Sequence, residues 1–226
     1  MDETTGDGGM IMMAVEKYCV CLMLAGLAAT GLAQTAQTKP KYKAYDPNLG
    51  LSQLFDDYHE QYLILFPLEA TAFGDNRYNN LMPVDISVDF IAKERKFYEQ
   101  FLNRLKETDA SKANSILQLS AEILRYELEM RLEGMHFGNE RIPCHQFDGL
   151  PISFGQMGSG TGVHPFKSVK DYDDWLSRID AFLAWTATAI DQFKQGALDG
   201  YVLPKCLVEK MIQQSLDKSI VCEKPE

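Results

Sequence analysis

Residues 152–166, ISFGQMGSGTGVHPF, place Gly158, Gly160 and Gly162 at alternate positions ahead of the pair His164-Pro165. Glycines so spaced suit a phosphate cradle, in which successive backbone N–H groups wrap an anion. A P-loop, however, follows a strand and closes on Gly-Lys-Ser/Thr at a helix N-terminus, whereas this chain runs through Val163 into His164. A dinucleotide fingerprint fails for want of the strand, the spacing and a downstream acid. Two readings remain, a loop that lines a cleft and a plain connector.

Metal chemistry needs convergent His, Cys, Asp or Glu side chains. His59-Glu60 begins a His-Glu-x-x-His helix, but Leu63 stands where the second histidine belongs. Glu133-x-x-His136 is half of a carboxylate-bridged dimetal pattern with no second half, and Gly134 interrupts it. Both read as polar helix surface. Ser153 and Ser159 lack the Gly-x-Ser-x-Gly elbow, and the neighbours Cys144-His145 do not orient each other as nucleophile and base. Spacing and residue type therefore assign no catalytic residue and no metal ligand.

The elements that would carry these residues are helical. Leu51, Leu54, Phe55, Tyr58, Tyr62 and Leu65 recur at helical spacing up to Pro67, and Gly74 closes one or two short turns after it. Ser87 caps a second helix whose face is Phe90, Ile91, Phe97, Tyr98, Phe101, Leu102 and Leu105. A third helix is expected from about Ser111 to Leu132 on Ile116, Leu117, Leu124, Leu128 and Leu132. Residues 135–165 show no period. Ser168 and Asp171 then form an acidic capping box ahead of an apolar stripe of Tyr172, Trp175, Leu176, Ile179, Phe182 and Leu183, continuing to about Gln195 with a bend near Trp185. Residues 205–216 make a last short helix. No strand alternation of useful length appears, so the expected class is all-α.

The first residues differ from the rest. Lys17 precedes the uncharged run YCVCLMLAGLAATGLAQ, whose Gly31 and Ala33 suit a signal-peptide cleavage site that leaves Gln34 as the first mature residue. Residues 1–33 are read as that leader, with 1–11, which are acidic, as a mis-assigned start ahead of Met12 or Met13. The run from Tyr18 to Ala33 is shorter than the ~20 residues of a spanning helix, so no stable membrane span is expected after cleavage. Residues 34–47, with Lys39, Pro40, Lys41, Lys43 and Pro47, form a flexible tether, and 48–226 form the helical domain. A periplasmic or secreted location follows. Cys144, Cys206 and Cys222 survive beyond the leader, enough for one disulfide at most.

At 46% hydrophobic and 24% charged the chain can bury a core. Its net charge is −10; losing Asp2, Glu3, Asp7, Glu16 and Lys17 with the leader leaves it at −7, which argues against nucleic acid as a partner.

Three segments, LFPLEATAFGDNRYNN (65–80), HQFDGLPISFGQMGSGTGVHPFKSVKDYDDWLSRID (145–180) and GALDGYVLPKCLVEKMIQQ (196–214), resemble the N-terminal part of a bacterial family catalogued as domain of unknown function 885. The match runs from about Leu51 to the end, and EKPE at 223–226 looks like continuing family sequence. The resemblance implies an exported, zinc-metallopeptidase-like helical protein. Its histidine-glutamate motif lies further downstream than this sequence reaches, so zinc, peptide-like substrate and hydrolysis attach to the full-length relative. This chain is expected to be a truncated N-terminal portion, inactive alone and dependent on a C-terminal half; the alternative is an autonomous exported helical binding protein without catalysis. The resemblance also favours cleft lining for the glycine loop, with Gln146, Ser159 and His164 as substrate-binding candidates and Asp75 and Arg77 as a structural pair.

Overall fold

Helix boundaries follow from local chemistry at most ends. The structure, a computed structural model, describes residues 48–220, with side chains described through Leu216. The leader, the Ala33–Gln34 cleavage site and the tether lie outside the described residues. Within them the helices are α1 (Leu49–Leu65), α2 (Pro67–Ala72), α3 (Val88–Glu107), α4 (Ser115–Gly134), α5 (Leu150–Met157), α6 (Val169–Asp199) and α7 (Lys205–Ile220), with 3-10 turns at Asn76–Tyr78, Ala110–Lys112 and Asn139–Arg141. The described residues contain no strand, only an isolated bridge between Cys144 and Gly149. The fold is all-α.

Pro67 stands at the start of α2, where its missing N–H costs nothing. Gly74, at φ 84°, ends that helix as its Asp75 N–H reaches back to the Ala70 carbonyl at 2.8 Å. The Ser87 side chain accepts from the Phe90 N–H at 3.2 Å, and Asn114 from the Leu117 N–H at 3.0 Å. Helix α4 therefore begins at Ser115, one residue before its first apolar position and later than the expected start near Ser111, which belongs to a separate turn.

Helices α1, α3 and α4 share one core. Leu51, Leu54 and Tyr58 of α1 meet Tyr98, Phe101 and Leu105 of α3 and Leu124 and Leu128 of α4. Tyr58 packs on Phe97 at 5.3 Å and meets the edge of Phe101 at 5.2 Å between ring centroids. Each fully buried side chain of this size contributes roughly 1.5–3 kcal/mol relative to exposure. Arg104 on α3 bonds Asp57 on α1 at 2.6 Å across the rim.

A second, smaller core of Met82, Phe154, Trp185 and Ala189 lies against α6. Here the sequence reading needs two corrections. Helix α5 occupies the middle of a segment read as loop; its eight residues are too few to show a period, and flanking Gly149 and Pro151 read as turn signals. Helix α6 runs unbroken to Asp199, and it turns a different face inward. Its buried residues are Asp174, Arg178, Trp185, Ala189, Gln192 and Gly196. Of the expected stripe only Trp175 and Phe182 pack against this core, while Tyr172, Leu176, Ile179 and Leu183 are exposed.

The register of α4 yields a test. Leu128 is 0% exposed and Ile116 is 75% exposed. Leu128→Ala should lower unfolding stability by about 2–5 kcal/mol in urea titration, and Ile116→Ala should change it by no more than about 0.5 kcal/mol.

Candidate functional site

The glycine loop, the 3-10 turn at Asn76–Tyr78 and the start of α2 meet at one buried side chain, Arg178 of α6, which is 0% exposed. Its Nη2 donates to the carbonyls of Pro67 (3.1 Å) and Tyr78 (3.2 Å) and to Thr71 Oγ1 (2.7 Å). Its Nε donates to the Leu81 carbonyl at 3.1 Å. Nη1 reaches His164 Nδ1 at 3.1 Å and Met157 Sδ at 3.7 Å. Thr71 hands its own proton to Asn79 Oδ1 at 2.6 Å, so the network extends one residue further. Burial pushes the guanidinium down to about 10, and the Asp174 carboxylate opposes that shift. Arg178 stays charged at neutral pH, with every nitrogen occupied.

A guanidinium only donates. His164 Nδ1 is therefore an acceptor and the proton sits on Nε2, which donates to the Asp171 carbonyl at 2.9 Å. His164 is 2% exposed and its ring lies 4.9 Å from that of Trp175. Trp175, Phe154 and Phe182 stack in turn, with centroids 4.5 and 4.6 Å apart.

The glycines serve this packing. A Cβ on Gly158 would lie 2.0 Å from Trp175 Cζ2, and one on Gly162 would lie 2.2 Å from the Gln156 carbonyl oxygen. The loop folds back so tightly on α5 and α6 that no side chain fits there. Asp171 fixes the other end of the loop, accepting from the N–H groups of Lys167 (2.9 Å) and Ser168 (2.8 Å), which hold its carboxyl below the usual range. Further along α6, Trp185 Nε1 donates to Asp85 at 2.6 Å, and Gln192 joins the Ile86 carbonyl (2.8 Å) to Arg141 (2.6 Å). Desolvation raises the Asp85 carboxyl despite the indole bond.

The three residues expected to bind substrate stand in three settings. His164 is enclosed. Ser159 is exposed and pairs with Thr161 at 3.1 Å. Gln146 accepts a bond from Gln214 of α7 on its main-chain oxygen (3.1 Å), while its buried side-chain Oε1 has no partner. Asp75 and Arg77 do pair, at 2.6 Å, and Arg77 also bonds Glu60 at 2.8 Å, which holds both carboxyls below their usual range.

The donor sets weighed for zinc do not fit it. Glu60 is engaged by Arg77, and His136 Nδ1 lies 3.1 Å from the carbonyl of its own helix end at Glu133. Among the described residues no three His, Cys, Asp or Glu side chains gather to hold a metal ion.

Sequence reasoning missed Arg178, Asp174 and Gln192. A signal existed: with Trp185, Ala189 and Gly196 they fall on one helical face. The larger apolar residues on the opposite face outweighed it.

Fold and site together define a helical scaffold whose glycine loop is locked by a buried arginine. The chain belongs to the family described as bacterial protein of unknown function (DUF885), which matches residues 67–221. No curated protein and no solved structure matches the chain.

Gly158→Ala should cost about 1–3 kcal/mol of stability through overpacking. Gly155→Ala, whose Cβ would meet nothing within 4 Å inside α5, should add up to about 1 kcal/mol. Denaturant midpoints of the two variants check both. The lowered Asp171 carboxyl gives stability that is present above the ordinary carboxylate value of about 4 and is lost as pH falls through the folded value. Asp171→Asn should lower stability at pH 7 and flatten its decline below pH 4, read from melting temperatures across pH.

Proposed function

We propose that this chain is the non-catalytic helical part of an exported, metallopeptidase-like hydrolase, and that it supplies a wall against which a catalytic portion packs. What supports the reading most is the outward face of α6. Tyr172, Leu176, Ile179, Leu183 and Ile190 follow one another at steps of four, three, four and seven residues and form one apolar stripe. Leu176 and Leu183 are 58% and 63% exposed. The helix keeps polar groups inside and leaves this stripe outside, the arrangement of an element with a second surface still to cover. None of residues 205–216 in α7 is buried, and Val208, Ile212 and Leu216 are exposed as well.

In this reading the loop around Ser159, and Gln146 beside α7, face the substrate side. His164, engaged by Arg178 and the Asp171 carbonyl, holds the loop in place. Zinc, the attacking water and the general base belong to the catalytic portion, and no step of the reaction is assigned to the residues seen here. Export follows from the leader, with Gln34 as the mature N-terminus.

Three measurements on the full chain test this. Its zinc content should be far below one ion per chain, and it should hydrolyse no peptide unaided. A dye that fluoresces on exposed apolar surface should bind it, and the double substitution Leu176→Glu with Leu183→Glu should remove most of that signal without lowering the melting temperature. Stoichiometric zinc accompanied by turnover overturns the proposal, as does dye binding that ignores the substitutions.

A further inference from the structure

A groove of about 470 Å³ lies between the end of α1, the start of α2, the 81–83 segment and the first half of α3. Ile64, Leu65, Leu81, Met82, Phe90 and Phe97 supply most of its wall, and Gln61 and Lys93 are its only polar side chains. Its volume is that of an ordinary small-ligand site. Ile64 and Leu81 are exposed at its mouth, whereas Phe90 and Phe97 are buried and belong to the packing of α3. The floor is therefore fixed and the rim open.

The charge pattern selects the occupant. Lys93 is the one charged residue lining the groove, it is exposed, and it forms no ion pair with any described carboxylate. An ammonium on an apolar rim is complementary to a single carboxylate attached to an apolar body, and this local pairing has to act against the chain's negative net charge. Two kinds of molecule carry that pairing, a fatty acid and the C-terminal end of a peptide. The rim also carries the Gln61 amide, which makes no bond with another described residue. A hydrocarbon tail offers this amide nothing, whereas a peptide bond offers it both a donor and an acceptor.

We propose that this groove binds the C-terminal residue of an apolar peptide, with the terminal carboxylate on Lys93 Nζ, the side chain between Ile64, Leu81 and Phe90, and the last peptide group at Gln61. The site is separate from the glycine loop. It goes beyond the hydrolase reading, because its occupancy is read without turnover or metal.

The test is calorimetric titration of the full chain with acetyl-Ala-Ala-Leu, with the same peptide as its C-terminal carboxamide, and with decanoate. Saturable binding of the free acid is expected, at least tenfold tighter than the carboxamide and tighter than decanoate. Lys93→Met, which keeps the apolar stem, should remove the difference between acid and amide. Ile64→Asp should abolish binding of both. Both positions are exposed, so circular dichroism should show the fold unchanged. The proposal is overturned if no ligand saturates, if acid and amide bind alike, if decanoate binds more tightly than the peptide, or if Lys93→Met leaves the preference intact. It is equally overturned if the chain self-associates through the groove, shown by Ile64→Asp converting a dimer to a monomer.

Discussion

Arg178 carries a full charge where no water reaches it, and much of the second half of the fold can be understood as the means of keeping it there. Removing a guanidinium from water costs several kcal/mol even after relaxation. That cost is offset only if its donors meet acceptors, and hydrogen bonds to charged groups contribute roughly 1.5–3 kcal/mol each. The acceptors here are mostly main-chain carbonyls at Pro67, Tyr78 and Leu81, with Thr71 and His164 completing the set. Carbonyls can converge on one point only when the segments bearing them are turned toward it. The short α2, the 3-10 turn after it and the irregular chain to Leu81 have that shape, and the glycine loop closes the remaining side through His164.

This arrangement explains why the glycine loop is neither a cradle nor a slack connector. Its first donors are spent on the end of α5, Gly158 N–H on the Phe154 carbonyl and Ser159 N–H on the Gln156 carbonyl, and the backbone at Gly162 and Gly158 lies too close to Gln156 and Trp175 to admit a side chain. Its histidine, the residue most suggestive of chemistry, is committed at both nitrogens. The same helix that supplies the arginine turns its aliphatic residues outward. Helix α6 is therefore a spine with two functions on two faces, polar anchoring within this domain and apolar surface outside it. The α1, α3 and α4 bundle needs no such device, because its core is made of ordinary aliphatic and aromatic contacts.

Much of the architecture was legible in the sequence where the cause is local. Ser87 and the Ser168–Asp171 box announce helix starts by their own hydrogen bonds, and the faces of α1 and α3 follow from spacing alone. The side of α6 that faces inward was not legible, because periodicity assumes that the apolar face is the buried one. Arg178 defeats that assumption through partners about 100 positions away, such as Tyr78. Helix α5 escaped notice because eight residues between Gly149 and Gly158 look like loop. His164 was visible as a candidate, but its role depends on a neighbour that sequence spacing cannot supply. Of the three segments that carry the family resemblance, two, 65–80 and 145–180, meet on this arginine.

The central claim is that one charged side chain holds distant segments together without supporting the helical bundle. Hydrogen–deuterium exchange on Arg178→Leu measures this directly. The account predicts that amides in residues 67–81 and 157–166 lose protection together while those of α1, α3 and α4 keep theirs. Loss confined to α6, or spread evenly over the whole domain, would contradict it.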